Sequence, residues 1–226
     1  MGLLDDLKKQ AAGVRSNDEA ERETRQQNAQ VVEDAMQRAF RYLHDLLEQL
    51  KIIKPVNPVV YRLPGVGEFR DLAMGVSFVS SRTRPLLDHD YLHRIDFYIV
   101  WSLGDDLVIE RDIPPAAEKV RDLLWRSNMK FTETATKNDA GAALVTRFVI
   151  PQAINMTITL RADYDERRVI VLAKNVLRMG NDEFAVSAQA LVEPVLEDMA
   201  RMLIGHQSGF RRYRIVLSPD SWAYKN

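Results

Sequence analysis

The stretch Arg94-Ile95-Asp96-Phe97-Tyr98-Ile99-Val100-Trp101 decides how this chain folds. Ile95, Phe97, Ile99 and Trp101 alternate with Arg94, Asp96 and Tyr98, the period-two pattern of a strand with one buried and one wetter face. The same alternation runs through Leu72, Met74, Val76 and Phe78, and again through Ile154, Met156, Ile158 and Leu160. Several such runs describe an antiparallel sheet.

Following the chain onward from Trp101, the run ends in Leu103-Gly104-Asp105-Asp106, and a second apolar run leads to Pro114-Pro115 and an amphipathic helix. From position 103 to position 179 the pattern returns: Met179-Gly180-Asn181-Asp182, a strand-like run, and Pro194 opening another helix. The Asp105-Asp106 and Asn181-Asp182 pairs are read as hairpin turns, where residues tolerant of positive φ are needed. The echo suggests two β-hairpin–helix–strand units over about 58–137 and 142–217. Duplication and convergence on a common hairpin–helix arrangement both account for it.

Each helix has one apolar face: Ala117, Val120, Leu123 and Leu124 in the first, and Val195, Leu196, Met199, Leu203 and Ile204 in the second, with Gly205 as a C-terminal stop. The sheet's buried face is the surface they would cover.

Working toward the N-terminus, Lys54-Pro55-Val56-Asn57-Pro58 ends a long helix, because proline cannot continue one. Between Asp18 and Lys54 no glycine or proline intervenes. Ala29, Val32, Met36, Ala39, Leu43, Leu46, Leu50 and Ile53 alternate at gaps of three and four, a heptad pattern. This seam has two readings: packing on the protein's own sheet, or pairing with another copy through Val32, Met36, Ala39, Leu43, Leu46 and Leu50. The polar stretch 18–30 would project into solvent or meet a partner helix. Residues 1–17 are read as a short amphipathic or flexible N-terminus with Leu3, Leu4, Leu7 and Ala11 on one side, broken near Gly13–Ser16, where Ser16 or Asn17 would cap the next helix. The predicted class is α+β: a long helix over 18–54 followed by an antiparallel domain over 55–226 built from the two weakly repeated units.

The composition narrows the chemistry. There is no cysteine, which removes disulfides, thiol nucleophiles and cysteine-bound metals. A net charge of −1 provides no global field toward nucleic acid or anionic lipid. No apolar run reaches the length of a membrane span, and the start resembles neither a secretory signal nor a myristoylation site, since Asp6 stands where Ser or Thr is required. The expectation is a cytoplasmic protein.

No nucleophile elbow, P-loop, zinc-protease helix or dinucleotide fingerprint occurs. Gly65-Val66-Gly67 reads as a loop or hairpin. His89 and His93 are the one tempting metal pair, with Asp88 and Asp90 beside them, but four residues along a strand separate them by about 13 Å, and no complete ligand set is visible. Asp163, Asp165 and Glu166 read as a solvated turn. No metal, cofactor or catalytic group is assigned.

Two binding candidates remain. Phe210-Arg211-Arg212-Tyr213-Arg214 reads as a basic final strand, with Arg161, Arg167 and Arg168 close by if neighbouring strands pair; such a patch suits phosphate, carboxylate or a nucleic-acid backbone, with tyrosine available to stack. Its bland counterpart is an edge strand guarded by charge. Arg94, Asp96 and Tyr98 form the wetter face of their strand and would line a groove or simply pair across strands. The functional expectation is a non-enzymatic interaction or assembly protein, adaptor-like or chaperone-like, acting through its sheet face and N-terminal helix. A small-molecule or lipid carrier and an RNA- or anion-binding module are the alternatives.

Overall fold

A single helix, α1 (Leu3–Ile53), occupies the first quarter of the molecule. At 51 residues it is about 77 Å long. The structure, a computed structural model, describes residues 2–86, 89–137 and 143–217, with the side chains of 3–9 and 143–144 left out. Gly13 does not break α1, and neither Ser16 nor Asn17 caps a second helix, so the expected division at residue 17 is absent. One glycine among strong helix formers costs only about 1 kcal/mol, and side-chain pairs one turn apart, such as Arg25 with Glu21 and Gln30 with Asp34, support the polar stretch.

The rest is strand-rich, and every strand pairing is antiparallel. The elements are β1 (Val56–Asn57), β2 (Tyr61–Leu63), β3 (Gly67–Phe69), β4 (Leu72–Leu86), β5 (His89–Arg111), α2 (Pro114–Arg126), β6 (Thr132–Lys137), β7 (Ala143–Asp163), β8 (Arg168–Lys174), β9 (Asn181–Ser187) and α3 (Glu193–Leu203). Seven strands form one sheet in the order β1-β4-β5-β7-β8-β9, with β6 paired to β7. β2 and β3 make a separate hairpin around Gly65-Val66-Gly67. The architecture is α+β: a long N-terminal helix, a curled antiparallel sheet and two shorter helices.

Ile95, Phe97, Ile99 and Trp101 of β5 lie at zero exposure, as do Met156, Ile158 and Leu160 of β7. All three helices bury their apolar residues in the same cluster. On α1, Val32, Met36, Ala39 and Leu43 are fully buried, Leu50 is nearly so, and Leu46 packs half-buried against the cluster. The heptad seam therefore packs on the protein's own core. It also stops short, since Ile53 is largely exposed.

The two Gly-Asx signals do different jobs. Gly180 ends a reversal between β8 and β9 in which the Asn175 N–H donates to the Gly180 carbonyl at 2.8 Å and the Gly180 N–H to Asn175 Oδ1 at 2.9 Å. Gly104, by contrast, lies inside β5. There is no hairpin at Asp105-Asp106: the pairing to β7 jumps from Ser102 to Asp106, an irregularity that bends the strand and lets it continue. Both glycines take positive φ, 90° and 118°, so one backbone need underlies both signals.

Candidate functional site

The sheet's second face supplies the site. Along β5 that face is Arg94, Asp96 and Tyr98; the β7 residues paired to them are Arg161, Thr159 and Thr157. On β4 the partners are Arg82, Ser80 and Phe78. Directly paired residues on adjacent antiparallel strands share a face, so three rungs follow: Arg82–Arg94–Arg161, Ser80–Asp96–Thr159 and Phe78–Tyr98–Thr157.

Phe78 is on this face because of a bulge. Met74 pairs with Trp101 but Ser77 pairs with Ile99, so Gly75 and Val76 together oppose Val100. The extra residue reverses the alternation. Val76 and Phe78, expected in the core beside Leu72 and Met74, instead stand 71% and 47% exposed, and Val79 turns inward. Gly75 in mid-strand was the available sequence signal. The Phe78 ring then stacks on Tyr98 with centroids 5.0 Å apart, and Tyr98 donates a hydrogen bond to Asn155 Oδ1 at 3.0 Å.

Asp96 is the carboxylate of the middle rung. Arg94 donates from Nε to Oδ2 at 2.8 Å and from Nη2 to Oδ1 at 2.8 Å, a two-point grip, and Thr159 Oγ1 donates to Oδ1 at 2.6 Å. Partial burial acts to raise its pKa, but these hydrogen bonds and the charges of Arg94 and Arg82 outweigh it and hold the carboxyl below its ordinary value. A second bulge lies at the end of this face: Arg82 pairs with Arg94 and Thr83 with Leu92, leaving His93 between them. Its Nδ1 is shielded from solvent and has no hydrogen-bond partner among the described residues. Burial, together with Arg84, Arg161 and Arg94, holds its pKa below the usual histidine value. Glu33 of α1 accepts a hydrogen bond from the Leu92 N–H at 2.6 Å and so ties this bulge to the roof helix.

The face ends at an unpaired edge. β1 reaches only Leu72 and Ala73 of β4. From Met74 to Leu86, β4 pairs on its β5 side, and among the described residues no strand adjoins its other side.

The basic run 210–214 is built differently from its sequence reading. Phe210–Tyr213 is a 3₁₀ turn, not a strand, and among the described residues only Ile215 of this segment bridges to β9, at Ala185. Burial of Phe210 against Phe184 drives the chain inward here. Arg211 pairs with Asp182 at 2.6 Å, and Arg178 shares that carboxylate. Arg168 pairs with Asp163 at 2.8 Å and sits opposite Ser187, five residues along β9 from Asp182, or about 17 Å. Arg167 donates to Asn28. Arg168 thus lies away from Arg211, while the register runs from Arg161 through Ile170 and Ala185 to Ile215, beside Arg214.

His89 and His93 both lie on β5, spaced as extended backbone dictates, while Asp88 lies outside the described residues. Among the described residues there is no group of three metal-ligating side chains and no helix long and apolar enough to cross a membrane.

A cavity of about 880 Å³ opens beside the C-terminal end of α2, lined by Trp125, Met129, Phe131, Val149 and Pro151, with Lys130 among its polar groups. Trp125 is 70% exposed and meets Phe131 edge-on at 6.0 Å, and Arg121 and Glu133 form an ion pair at its wall. No sequence motif marks it, because its lining converges from α2, β6 and β7.

Comparison of the chain with known protein families, curated proteins and solved structures finds no match.

Proposed function

We propose that this is a non-enzymatic protein-interaction and assembly protein that receives another polypeptide at the free edge and open face of β4. The observation that carries this reading is the run Gly75–Leu86, which pairs with β5 on one side and adjoins no strand on the other among the described residues. An edge strand presents unpaired N–H and C=O groups in a row, a template for strand addition. Charge from Arg82 and Arg84 and the proline at 85 guard its far end, but Val76-Ser77-Phe78-Val79-Ser80-Ser81 carries no such protection and exposes two large apolar side chains. The N-terminal half of α1 adds an arm: residues 10–27 are exposed on every side, whereas Ala29 onward enters the core.

A second copy is the first partner to test, by sedimentation across a concentration series. The full chain is expected to exceed monomer mass, V76K/F78K to return to monomer, and deletion of 1–26 to weaken association less. Monomeric mass for the full chain at every concentration, or assembly unaltered by V76K/F78K, defeats self-association at this edge.

The cavity beside Trp125 favours a second reading, a small-molecule carrier, because its volume and largely apolar lining suit a drug-sized ligand. Native mass spectrometry showing a retained small molecule supports it.

A further inference from the structure

β7 has a gap along one edge. β6 pairs with it as far as Val149 and β8 begins opposite Thr157, so among the described residues no strand adjoins 150–156 on that side. The backbone there is aimed into the gap. The Val100 carbonyl of β5 lies 3.2 Å from where a Cβ on Gly75 would stand, so it faces β4, and the carbonyls of Ile99 and Trp101 face β7. Their partners Met156 and Ile154 therefore turn their backbone groups toward β5, while Asn155 and Ala153 direct theirs the other way. The Asn155 carbonyl shows this direction by accepting from Asn175 Nδ2 at 3.0 Å, just past the end of β8. Ala153 has no such partner: its N–H and C=O meet neither β6 nor β8 nor any other backbone group of the described residues. Pro151 stands at the next outward position, where a missing N–H costs nothing.

The Trp125 cavity lies against this gap and reaches both sides of the sheet plane. Asn155 and Pro151 line it from the open face; Trp125, Met129 and Phe131 line it from the α2 side, where Phe131 meets the buried Phe148 at 6.0 Å. Its charged lining residues balance, Asp106 and Glu133 against Arg121 and Lys130, and Arg121 with Glu133 forms an ion pair.

We propose that this gap and its cavity take an extended, uncharged peptide segment with an aromatic side chain, added as a short strand beside Ala153. The peptide residue opposite Ala153 donates its N–H to the Ala153 carbonyl and accepts from the Ala153 N–H; two residues along, a second N–H reaches the Pro151 carbonyl. Side chains alternate across a strand, so the aromatic residue between those two points through the sheet toward Trp125, Met129 and Phe131. The exposed Trp125 ring offers it a stacking surface. The balanced charge of the lining favours a neutral segment over a free anion or cation. A freely diffusing aromatic molecule fits the same cavity but leaves the outward backbone groups of Ala153 unused. The site goes beyond the assembly reading: it is a second polypeptide site, on β7, in which the β4 edge plays no part.

The test is a heteronuclear NMR titration of the full chain with the blocked tripeptide acetyl-Thr-Phe-Thr-amide. Saturable one-to-one binding is expected, with the Ala153 amide among the resonances that shift and its hydrogen exchange slowed. Trp125→Ala should weaken binding about tenfold, the worth of an aromatic stack with its buried area. Because Trp125 is exposed, this variant retains the fold, which circular dichroism verifies. Methylating the peptide nitrogen of the threonine after phenylalanine, which faces β7, should abolish binding. Methylating phenylalanine's own nitrogen, which faces away from β7, should leave binding in place, as should V76K/F78K in the protein. The proposal is overturned if millimolar tripeptide shows no saturable binding, if both methylated peptides bind alike, or if V76K/F78K abolishes binding, which places the peptide on the β4 edge instead. It is overturned too if p-cresol, a free aromatic molecule, binds as tightly as the tripeptide, an outcome that supports the small-molecule reading of the cavity.

Discussion

The two faces of β5 differ in burial and chemistry, although they alternate residue by residue. Ile95, Phe97, Ile99 and Trp101 lie at zero exposure under three helices; Arg94, Asp96 and Tyr98 remain half-buried, with an ion pair between Arg94 and Asp96, hydrogen bonds to Thr159 and Asn155 of β7 and ring stacking on Phe78 of β4. The first set is surrounded by packed apolar atoms, so removing any of it leaves a cavity. The second can change without a cavity forming. Packing therefore stabilises the strand on one side, and polar pairing does so on the other.

That asymmetry can be broken experimentally. Phe97→Ala should cost the most, about 3–5 kcal/mol in chemical denaturation; a cost under about 1 kcal/mol would mean the roofed face is not the core. Asp96→Asn comes next, at about 1–3 kcal/mol, because it weakens charge-assisted hydrogen bonds from Arg94 and Thr159. It also has a pH signature. The folded state favours the Asp96 carboxylate, so its contribution is present above about pH 4, the ordinary aspartate range, and is lost as the pH falls through the lowered folded value. In Asp96→Asn that part of the acid-side loss should disappear from the stability profile. Phe78→Ala should matter least, at about 0.5–1 kcal/mol, the worth of one exposed aromatic pair. A cost equal to that of Phe97→Ala would show that both faces are core.

Much of this division was legible in the residues. The alternation through Arg94–Trp101 placed each side chain of β5 on its face, and the apolar stripes of α2 and α3 announced what would cover one of them. Arg94, Asp96 and Tyr98 were identified as the wetter face without knowing what stood beside them. Phe78 was misplaced because one extra residue at Gly75–Val76 reverses the phase of a strand, and a bulge is fixed by pairing with β5, not by local propensity. The Gly104 signal failed for a similar reason: positive φ serves a turn and a bulge equally well. The 210–214 run was read as a strand on its letters, but burial of Phe210 against Phe184 holds it in a 3₁₀ turn.

The sequence by itself determined the class: a long helix ended by Lys54-Pro55, period-two strands, and amphipathic helices with proline near their starts, each set by local geometry and spacing. Only the tertiary structure decided what the heptad seam of α1 packs on, that Arg82, Arg94 and Arg161 fall in one rung, and that β4 keeps a free edge. Those outcomes depend on which strands pair and in what register, and register joins residues as distant in the chain as Arg82 and Arg161, 79 positions apart, beyond the reach of any local pattern.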